Sequence, residues 1–397
     1  MRWNIIMPIA TLLFLAVATL VVILYARGYQ LSFNTGKPQL TGSGILVVTS
    51  DPDGAEVFIN GHLTTATNNT INLAPDTYDV SIKKDGYLPW ERTVKVNQEV
   101  VTKLTAYLFP IAPQLENITE LGVSNPVVDP SGTKIAYTVA SQSAKKNGVY
   151  VLNMNNNMLL TLQSGSQQIT DDTTDTFSQS QLSWSPDGTK LVASMSAKAN
   201  AKPVQYLLDA TSFNSTPQDI TETYADVTNG WAKDREDKIT AKLSALPLSL
   251  RTFLSTNAAN LVWSPDDSQI FYQATQAATL EPMMKPLPDS NTVTQQRVLQ
   301  PGTFYVYSIK EDKNFALPVS VGPDIMPHWF FDSRHIVYVQ NKQVTVVDSD
   351  GSNQHILYAG PFVDGFAIPW PTGSKIVILT NLGNSEIVPN LYTINLR

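Results

Sequence analysis

The sequence contains no cysteine. That absence removes disulfides, thiolate metal sites, cysteine nucleophiles and CxxC redox chemistry together. Histidine is nearly missing as well: the four residues are His62, His328, His335 and His355, too few and too scattered for a histidine-rich metal site. Charge is sparse. Asp, Glu, Lys and Arg make up 15% of the chain, against roughly 25% in an average domain. No basic excess exists either, since 27 Lys and Arg face 34 Asp and Glu for a formal net charge of -7. A nucleic-acid partner, which calls for a basic face, is therefore excluded. No phosphate-cradling glycine loop is found, and the scattered glycines read as turn residues.

What the chain does contain is apolar residue, 43% of its 397 positions. That is enough to build the cores of two or three units. The first long apolar run is at the N-terminus. From Trp3 to Ala26 no side chain is charged. As a helix this segment is about 36 Å long at ~1.5 Å per residue, enough to cross a hydrocarbon core of about 30 Å. Pro8 falls in the first turn, where its missing N–H costs little. Trp3 and Tyr25 stand where interfacial aromatics belong. A cleaved signal peptide is the alternative, because Ala16-Val17-Ala18 has the small-x-small pattern. Cleavage there would leave Leu20 to Tyr25 exposed at a new terminus, so residues 1–26 are read as an uncleaved transmembrane anchor and the lipid bilayer as a partner of residues 3–26. Arg2 precedes the span and Arg27 and Lys37 follow it, which leaves the positive-inside rule undecided. The low charge of the remainder, its many Asn, Thr, Ser and Gln, and the lack of a second apolar span favour a cytoplasmic N-terminus and extracytoplasmic C-terminal domains.

Residues 27–43 read as a stalk punctuated by Gly and Pro. Residues 44–109 then carry about six short strands. Ile45-Leu46-Val47-Val48 is apolar, Asp51-Pro52-Asp53-Gly54 is turn chemistry, and Asn60-Gly61 after Val57-Phe58-Ile59 is a two-residue hairpin signal. Tyr78, Val80 and Ile82 alternate with Thr77, Asp79 and Ser81, the period of a half-buried strand. Lys84-Asp85-Gly86-Tyr87 turns again, before Thr93–Val96 and Thr102–Ala106. These residues resemble the PEGA domain. Pro52-Asp53-Gly54-Ala55 stands for its Pro-Glu-Gly-Ala, with Asp for Glu. Pro75-Asp76-Thr77-Tyr78 and Gly86-Tyr87 match its later segments, with Asp76 for the usual Gly. The resemblance implies an exposed β-sandwich without enzymatic activity, attached to other extracytoplasmic modules.

Residues 115–397 repeat one pattern, strand–tight turn–strand. The copies are Val127–Tyr137, Leu182–Val192 with Trp184-Ser185-Pro186-Asp187-Gly188, Leu261–Phe271 with Trp263-Ser264-Pro265-Asp266-Asp267, and two weaker ones at Pro327–Val337 and Ile368–Val377. The fourth copy has Phe331 where the others have Pro, and the fifth has Trp370 shifted by one. A further strand follows each copy. The fifth has no room for a fourth strand before Arg397, and Asn117–Leu121 is positioned to supply it, closing a ring without free edges. The repeats resemble TolB-like β-propellers, whose blades carry Trp-Ser-Pro-Asp-Gly. That resemblance implies a propeller with five recognisable blades, a sixth being possible within an insertion, and implies no chemistry. The fold class is thus all-β: N-terminal transmembrane helix, PEGA-like sandwich, then propeller. The copies are about 40 to 79 residues apart, against roughly 40–45 for a bare blade. The excess lies near 211–258 and 275–300. In the first insertion Trp231 to Leu254 reads as helix broken at Pro247, with Ile239/Leu243 and Leu246/Leu250 at i, i+4. The second, Glu281–Pro288, is a Pro-rich loop.

Candidate chemistry fails on inspection. No Gly-x-Ser-x-Gly elbow accompanies the histidines. Asp171-Asp172-Thr173-Thr174-Asp175 offers oxygens of the kind calcium takes but lacks EF-hand spacing, and reads as a solvated acidic loop. Asp187, Asp266 and Asp267 read as turn formers. Trp184, Trp263, Trp329 and Trp370 read as blade-to-blade packing in preference to a carbohydrate-stacking set. Lys233–Lys238 alternates in sign and reads as a solvated helix face. No catalytic residue, metal or cofactor is expected. The functional expectation is a non-catalytic, membrane-anchored cell-envelope scaffold whose insertions and propeller faces bind a protein or cell-wall polymer. A sensor or carbohydrate-binding ectodomain is the alternative, and an envelope hydrolase the third.

Overall fold

The computed structural model describes residues 3–26, 29–32, 39–140, 142–155, 165–196, 203–285, 291–319, 327–363 and 365–397. The chain divides into two compact units. One is Met1–Ile111 with Pro286–Thr294; the other is Ala112–Lys285 with Gln295–Arg397.

In the first unit, helix α1 (Trp3–Ala26) covers the whole uncharged segment, and its side chains are described for residues 7–23. Among the described residues no helix is long and apolar enough to cross a membrane. The expected stalk holds a hairpin: strand Tyr29–Ser32 pairs antiparallel with Gln39–Gly42. Lys37 and the other residues from 33 to 38 lie outside the described set.

Seven strands follow, one more than read from the sequence. Asn69–Leu73, Gly44–Asp51 and Val101–Tyr107 form a three-stranded sheet, and His62–Ala66, Glu56–Ile59, Asp76–Lys83 and Trp90–Val96 a four-stranded one. The added strand is Asn69–Leu73, in which Ile71 and Leu73 alternate with Thr70 and Asn72. Gly44–Asp51 and Val101–Tyr107 run parallel. The two sheets share one core, with Leu46, Val48, Leu104 and Ala106 from one meeting Val57, Val80, Ile82 and Val94 from the other, so the unit is a sandwich. Asn60 and Gly61 both have positive φ, 49° and 81°, the backbone a type I′ hairpin demands. At the Pro52–Ala55 turn, Thr67 Oγ1 accepts from Ala55 N at 3.0 Å and pairs with Ser50 Oγ at 2.7 Å.

Among the described residues the second unit contains five four-stranded antiparallel sheets. The first is Ser124–Val128, Lys134–Val139, Gly148–Asn153 and Ser166–Asp171; the second Gln181–Trp184, Lys190–Ser194, Gln205–Asp209 and Gln218–Asp219. The third is Ala258–Trp263, Gln269–Ala274, Phe304–Ser308 and Lys313–Ala316; the fourth His328–Trp329, His335–Gln340, Gln343–Asp348 and His355–Ala359. In the fifth, Ala367–Pro369, Lys375–Thr380 and Asn390–Asn395 receive their outer strand from Leu115–Asn117, which pairs with Asn390–Asn395 from the far end of the unit. The expected closing strand therefore exists, two residues earlier than read. Ile118 is buried instead in the core between the fifth and first sheets.

Side-chain alternation decides which sheets share a core. Ile135 and Tyr137 of the first sheet join Val377 and Leu379 of the fifth, while Ala136, one residue out of phase, joins Leu191 and Ala193 of the second. Phe271 and Val306 of the third sheet meet Ile336 and Tyr338 of the fourth. The opposite face of the third sheet, Ile270, Tyr272 and Tyr305, is covered by helical residues Leu243, Leu246, Leu250 and Leu254. The first insertion thus packs where a neighbouring sheet would.

Candidate binding surfaces

The residues singled out in the sequence are largely occupied by the fold. Asp187 Oδ1 accepts from Ser185 Oγ at 2.6 Å and from Thr189 N and Oγ1 at 3.0 and 2.8 Å. The Ser185 hydroxyl, followed by the Thr189 donors, holds that carboxyl down at about 2. Asp266 repeats the arrangement with Ser264 and Ser268. Burial opposes its ionisation, but these donors prevail and hold it at about 2. These carboxylates are spent inside their own turns, as turn formers. Asp267 has φ 57° where the second copy has Gly188, and it pairs with Lys242 at 2.6 Å.

The tryptophans tie sheet to sheet. Trp184 Nε1 donates to Val127 O of the first sheet at 3.1 Å, and Trp329 Nε1 makes the equivalent bond to Val262 O of the third at 3.1 Å. Trp370 lies in the core between the fifth and first sheets. Trp263 lies under the Lys242 ammonium, 5.4 Å from the ring centroid. A stacking row for sugars is not formed by these four residues.

In the acidic loop, Asp172 accepts from Ser178 N and Oγ at 2.8 and 2.6 Å, and Asp171 from Thr173 N at 3.0 Å. Asp175 accepts from Tyr206 OH at 3.3 Å. Among the described residues no group of acidic and histidine side chains is arranged to hold a metal ion.

His335 is the buried polar centre that the sequence reading missed. Its Nδ1 meets Asp332 Oδ2 at 2.7 Å and its Nε2 meets Asp348 Oδ1 at 3.0 Å. Burial pulls the imidazole toward neutrality, but Asp332 and then Asp348 outweigh it and raise the pKa to about 9. With both nitrogens held by carboxylates, the ring clamps two strand ends and is not free to act as a base. The available signal was the hairpin register, which places His335 opposite Asp348. His328 is lowered by desolvation to about 4, and His62 is exposed.

The first insertion is two helices, α2 (Tyr224–Ser244) and α3 (Leu248–Asn257), with Pro247 at the N-cap of α3. The break at Pro247 is where the sequence placed it, but the helix begins seven residues before Trp231. Leu243 and Leu246 are buried as expected; Ile239 is 41% exposed, because only the C-terminal turn of α2 reaches the third sheet. Lys238 Nζ donates to Pro186 O at 2.7 Å. From Ala232 to Lys242 every residue of α2 is exposed, so the Lys233–Lys238 run is a solvated face. The second insertion opens between two strands of the third sheet, where Ala278–Thr279 pairs with Val298–Leu299. Asp312 anchors it: Oδ2 accepts from Met283 N and Met284 N at 2.6 and 2.8 Å, and Oδ1 from Tyr307 OH at 2.8 Å. Pro286 and Pro288 of the expected Pro-rich loop lie outside the described residues.

Two concave surfaces stand apart from these elements. A groove of about 540 Å³ lies on the sandwich, lined by Phe58, Lys83, Glu91 and Arg92 among others, with Lys83 Nζ 5.2 Å from the Phe58 ring centroid. A cleft of about 360 Å³ lies on the second unit, lined by Ile118, Thr119, Glu120, Leu121, Tyr137, Tyr150 and Ser166.

Residues 43–111 match the PEGA domain. No curated protein matches the chain. Among solved structures it is similar to a putative TolB from Agrobacterium tumefaciens, at 16% identity over 67% of this chain and 76% of that one, with a TM-score of 0.21. It is similar to TolB from Acinetobacter baumannii at 15% identity over 91% and 65%, with a TM-score of 0.24. A third likeness is to the β-propeller domain of Cps50 (Swd1) from Myceliophteria thermophila, at 10% identity over 71% and 85%, with a TM-score of 0.25. The resemblance to the PEGA domain read from the sequence thus recurs over residues 43–111. Likenesses this distant say nothing of activity, and the sheet architecture rests on the strands themselves.

Proposed function

We propose that this chain is a membrane-anchored, non-catalytic binding protein of the cell envelope. In this reading α1 holds it to a lipid bilayer with the N-terminus cytoplasmic, and a five-bladed propeller, closed by Leu115–Asn117, presents the α2–α3 insertion to a protein or cell-wall polymer partner.

The observation that carries the reading is the surface of α1. Met7, Leu12 and Phe14 are 77%, 72% and 72% exposed, and most other large apolar side chains through Ile23 are also open. Such a surface is costly in water, at roughly 25 cal/mol per Å², and favourable in hydrocarbon. The two described hydroxyls of the segment need no water: Thr11 Oγ1 donates to Met7 O at 2.8 Å and Thr19 Oγ1 to Leu15 O at 2.7 Å. Satisfying polar groups within the helix is what a bilayer requires. The anchor is proposed from the full 24-residue segment Trp3–Ala26, longer than the portion whose side chains are described.

The non-catalytic reading is supported by the consumption of Asp187 and Asp266 in their own turns and of His335 between Asp332 and Asp348. The binding reading is supported by α2, a charged helix exposed for most of its length on a rigid sheet platform. Fractionation of the full untagged chain tests the anchor: it is expected to stay in the membrane pellet through alkaline carbonate and to be released by detergent. Recovery of intact chain in the supernatant overturns it. For the insertion, a Lys233→Glu/Arg235→Glu variant is preferable to deleting 228–258, because deletion would uncover the third sheet. Cross-linking of wild type and variant in intact cells is expected to show a partner lost in the variant; an unchanged pattern makes the helix decoration.

A further inference from the structure

The cleft between residues 118–121 and the first sheet is not used by any part of the proposed scaffold role. Its aromatic wall is Tyr150, backed by Tyr137, which is buried and directly opposite it across two antiparallel strands. Their rings stack at 5.7 Å and 16°. Tyr150 is held in place, because its hydroxyl donates to Lys146 O at 2.7 Å. Opposite them runs Ile118–Leu121, whose Thr119 Oγ1 is fixed by Asn390 at 3.0 Å and Leu391 N at 2.9 Å. The Ser166 hydroxyl also lines the cleft and is engaged with the Tyr137 hydroxyl. Among the described residues the one charged group lining the cleft is Glu120.

We propose that this cleft binds a neutral pyranose unit of a polysaccharide. Its volume, about 360 Å³, falls in the range of small-molecule sites. A rigid aromatic wall suits the apolar face of a sugar ring, with little ordering cost on binding. Glu120 offers a carboxylate to the sugar's hydroxyl edge. An anionic ligand is disfavoured, because among the described residues no cation lines the site and a carboxylate does. The inference deepens the cell-envelope reading by naming a ligand class, yet it is tested without reference to the membrane or to α2.

The experiment is saturation-transfer NMR on the full chain in detergent micelles, with cellotriose and chitotriose as probes and choline as a cationic control. Saturation of at least one trisaccharide is expected at millimolar concentration. Tyr150→Ala should weaken it roughly tenfold, about 1.4 kcal/mol, while Tyr150→Phe retains the wall and most of the binding. Glu120→Ala should weaken it several-fold with the circular dichroism spectrum unchanged. The proposal is overturned if neither trisaccharide binds, if Tyr150→Ala binds as wild type does, or if choline alone binds, which would reassign the cleft to cationic amines. None of these results bears on carbonate fractionation or cross-linking, so the anchor and scaffold readings stand or fall separately.

Discussion

The Phe331 ring lies directly against Gly373. A Cβ placed on Gly373 would stand 1.9 Å from Phe331 Cε1, and Gly373 has φ +72°. The weak fourth repeat, with Phe where its siblings have Pro, and the weak fifth are therefore matched to each other. Gly373→Ala should destabilise the second unit by about 2–4 kcal/mol through overpacking and backbone strain. Gly86, at φ +82° with no atom within 4 Å of its Cβ position, isolates the strain component. Gly86→Ala should cost about 1 kcal/mol. Thermal unfolding of both variants, with Phe331→Ala as partial rescue of the first, distinguishes the two contributions.

Trp184 reports on sheet-to-sheet packing. Trp184→Phe keeps most of the apolar contact but leaves Val127 O without its indole donor. A loss of about 1 kcal/mol is expected. Trp184→Ala also empties the core shared by the first and second sheets and should cost about 3–5 kcal/mol. Urea titration gives both values, and equal effects would show that the hydrogen bond and not the packing dominates.

His335 makes stability depend on pH. Its pKa in the folded chain is about 9, above the roughly 6.5 of an unfolded histidine. Protonation therefore favours the fold, the contribution is fully present below pH 6.5, and it is lost as pH rises through 9. Asp332 is shifted the other way: burial raises its pKa, but the His335 charge and hydrogen bonds prevail and lower it. Its contribution is present above the ordinary Asp value and fades on acidification below it. Denaturant midpoints should thus fall between pH 6.5 and 9 in wild type. His335→Gln should flatten that slope and lower stability by about 3–5 kcal/mol, because two carboxylates lose their buried cation.

Asp312→Asn tests the anchor of the second insertion. Asn retains one oxygen but not the charge, and four donors converge on the carboxylate: Met283 N, Met284 N, Tyr307 OH and Arg297. A loss of about 1–3 kcal/mol and faster proteolysis after Met284 are expected. Limited proteolysis with mass-spectrometric mapping reads the second effect, and an unchanged cleavage pattern would show that the loop is held elsewhere.

Much of the architecture was legible because it is local. Asn60-Gly61 specifies its turn by backbone conformation alone, and Ser185-Pro186-Asp187-Gly188 specifies its turn by a side chain that bonds to its own backbone. The five repeat copies and the break at Pro247 follow from such punctuation, and apolar alternation gives the strands between. The strand Asn69–Leu73 was hidden by its Asn and Thr content, and Ile239 looked core-facing only because spacing carries no information on what a helix has to pack against.

By itself the sequence determined the order of modules, the turns, the uncharged N-terminal helix and the absence of thiol chemistry, since each depends on residues adjacent along the chain. Tertiary structure alone decided that Leu115–Asn117 completes the fifth sheet, that α2–α3 covers the third, that His335 is clamped by two carboxylates, and that Tyr150, backed by Tyr137, walls a cleft with Ile118–Leu121. Those outcomes depend on register and on contacts between residues distant in sequence, where hydrophobic pattern says which side chains must be buried but not against which partner.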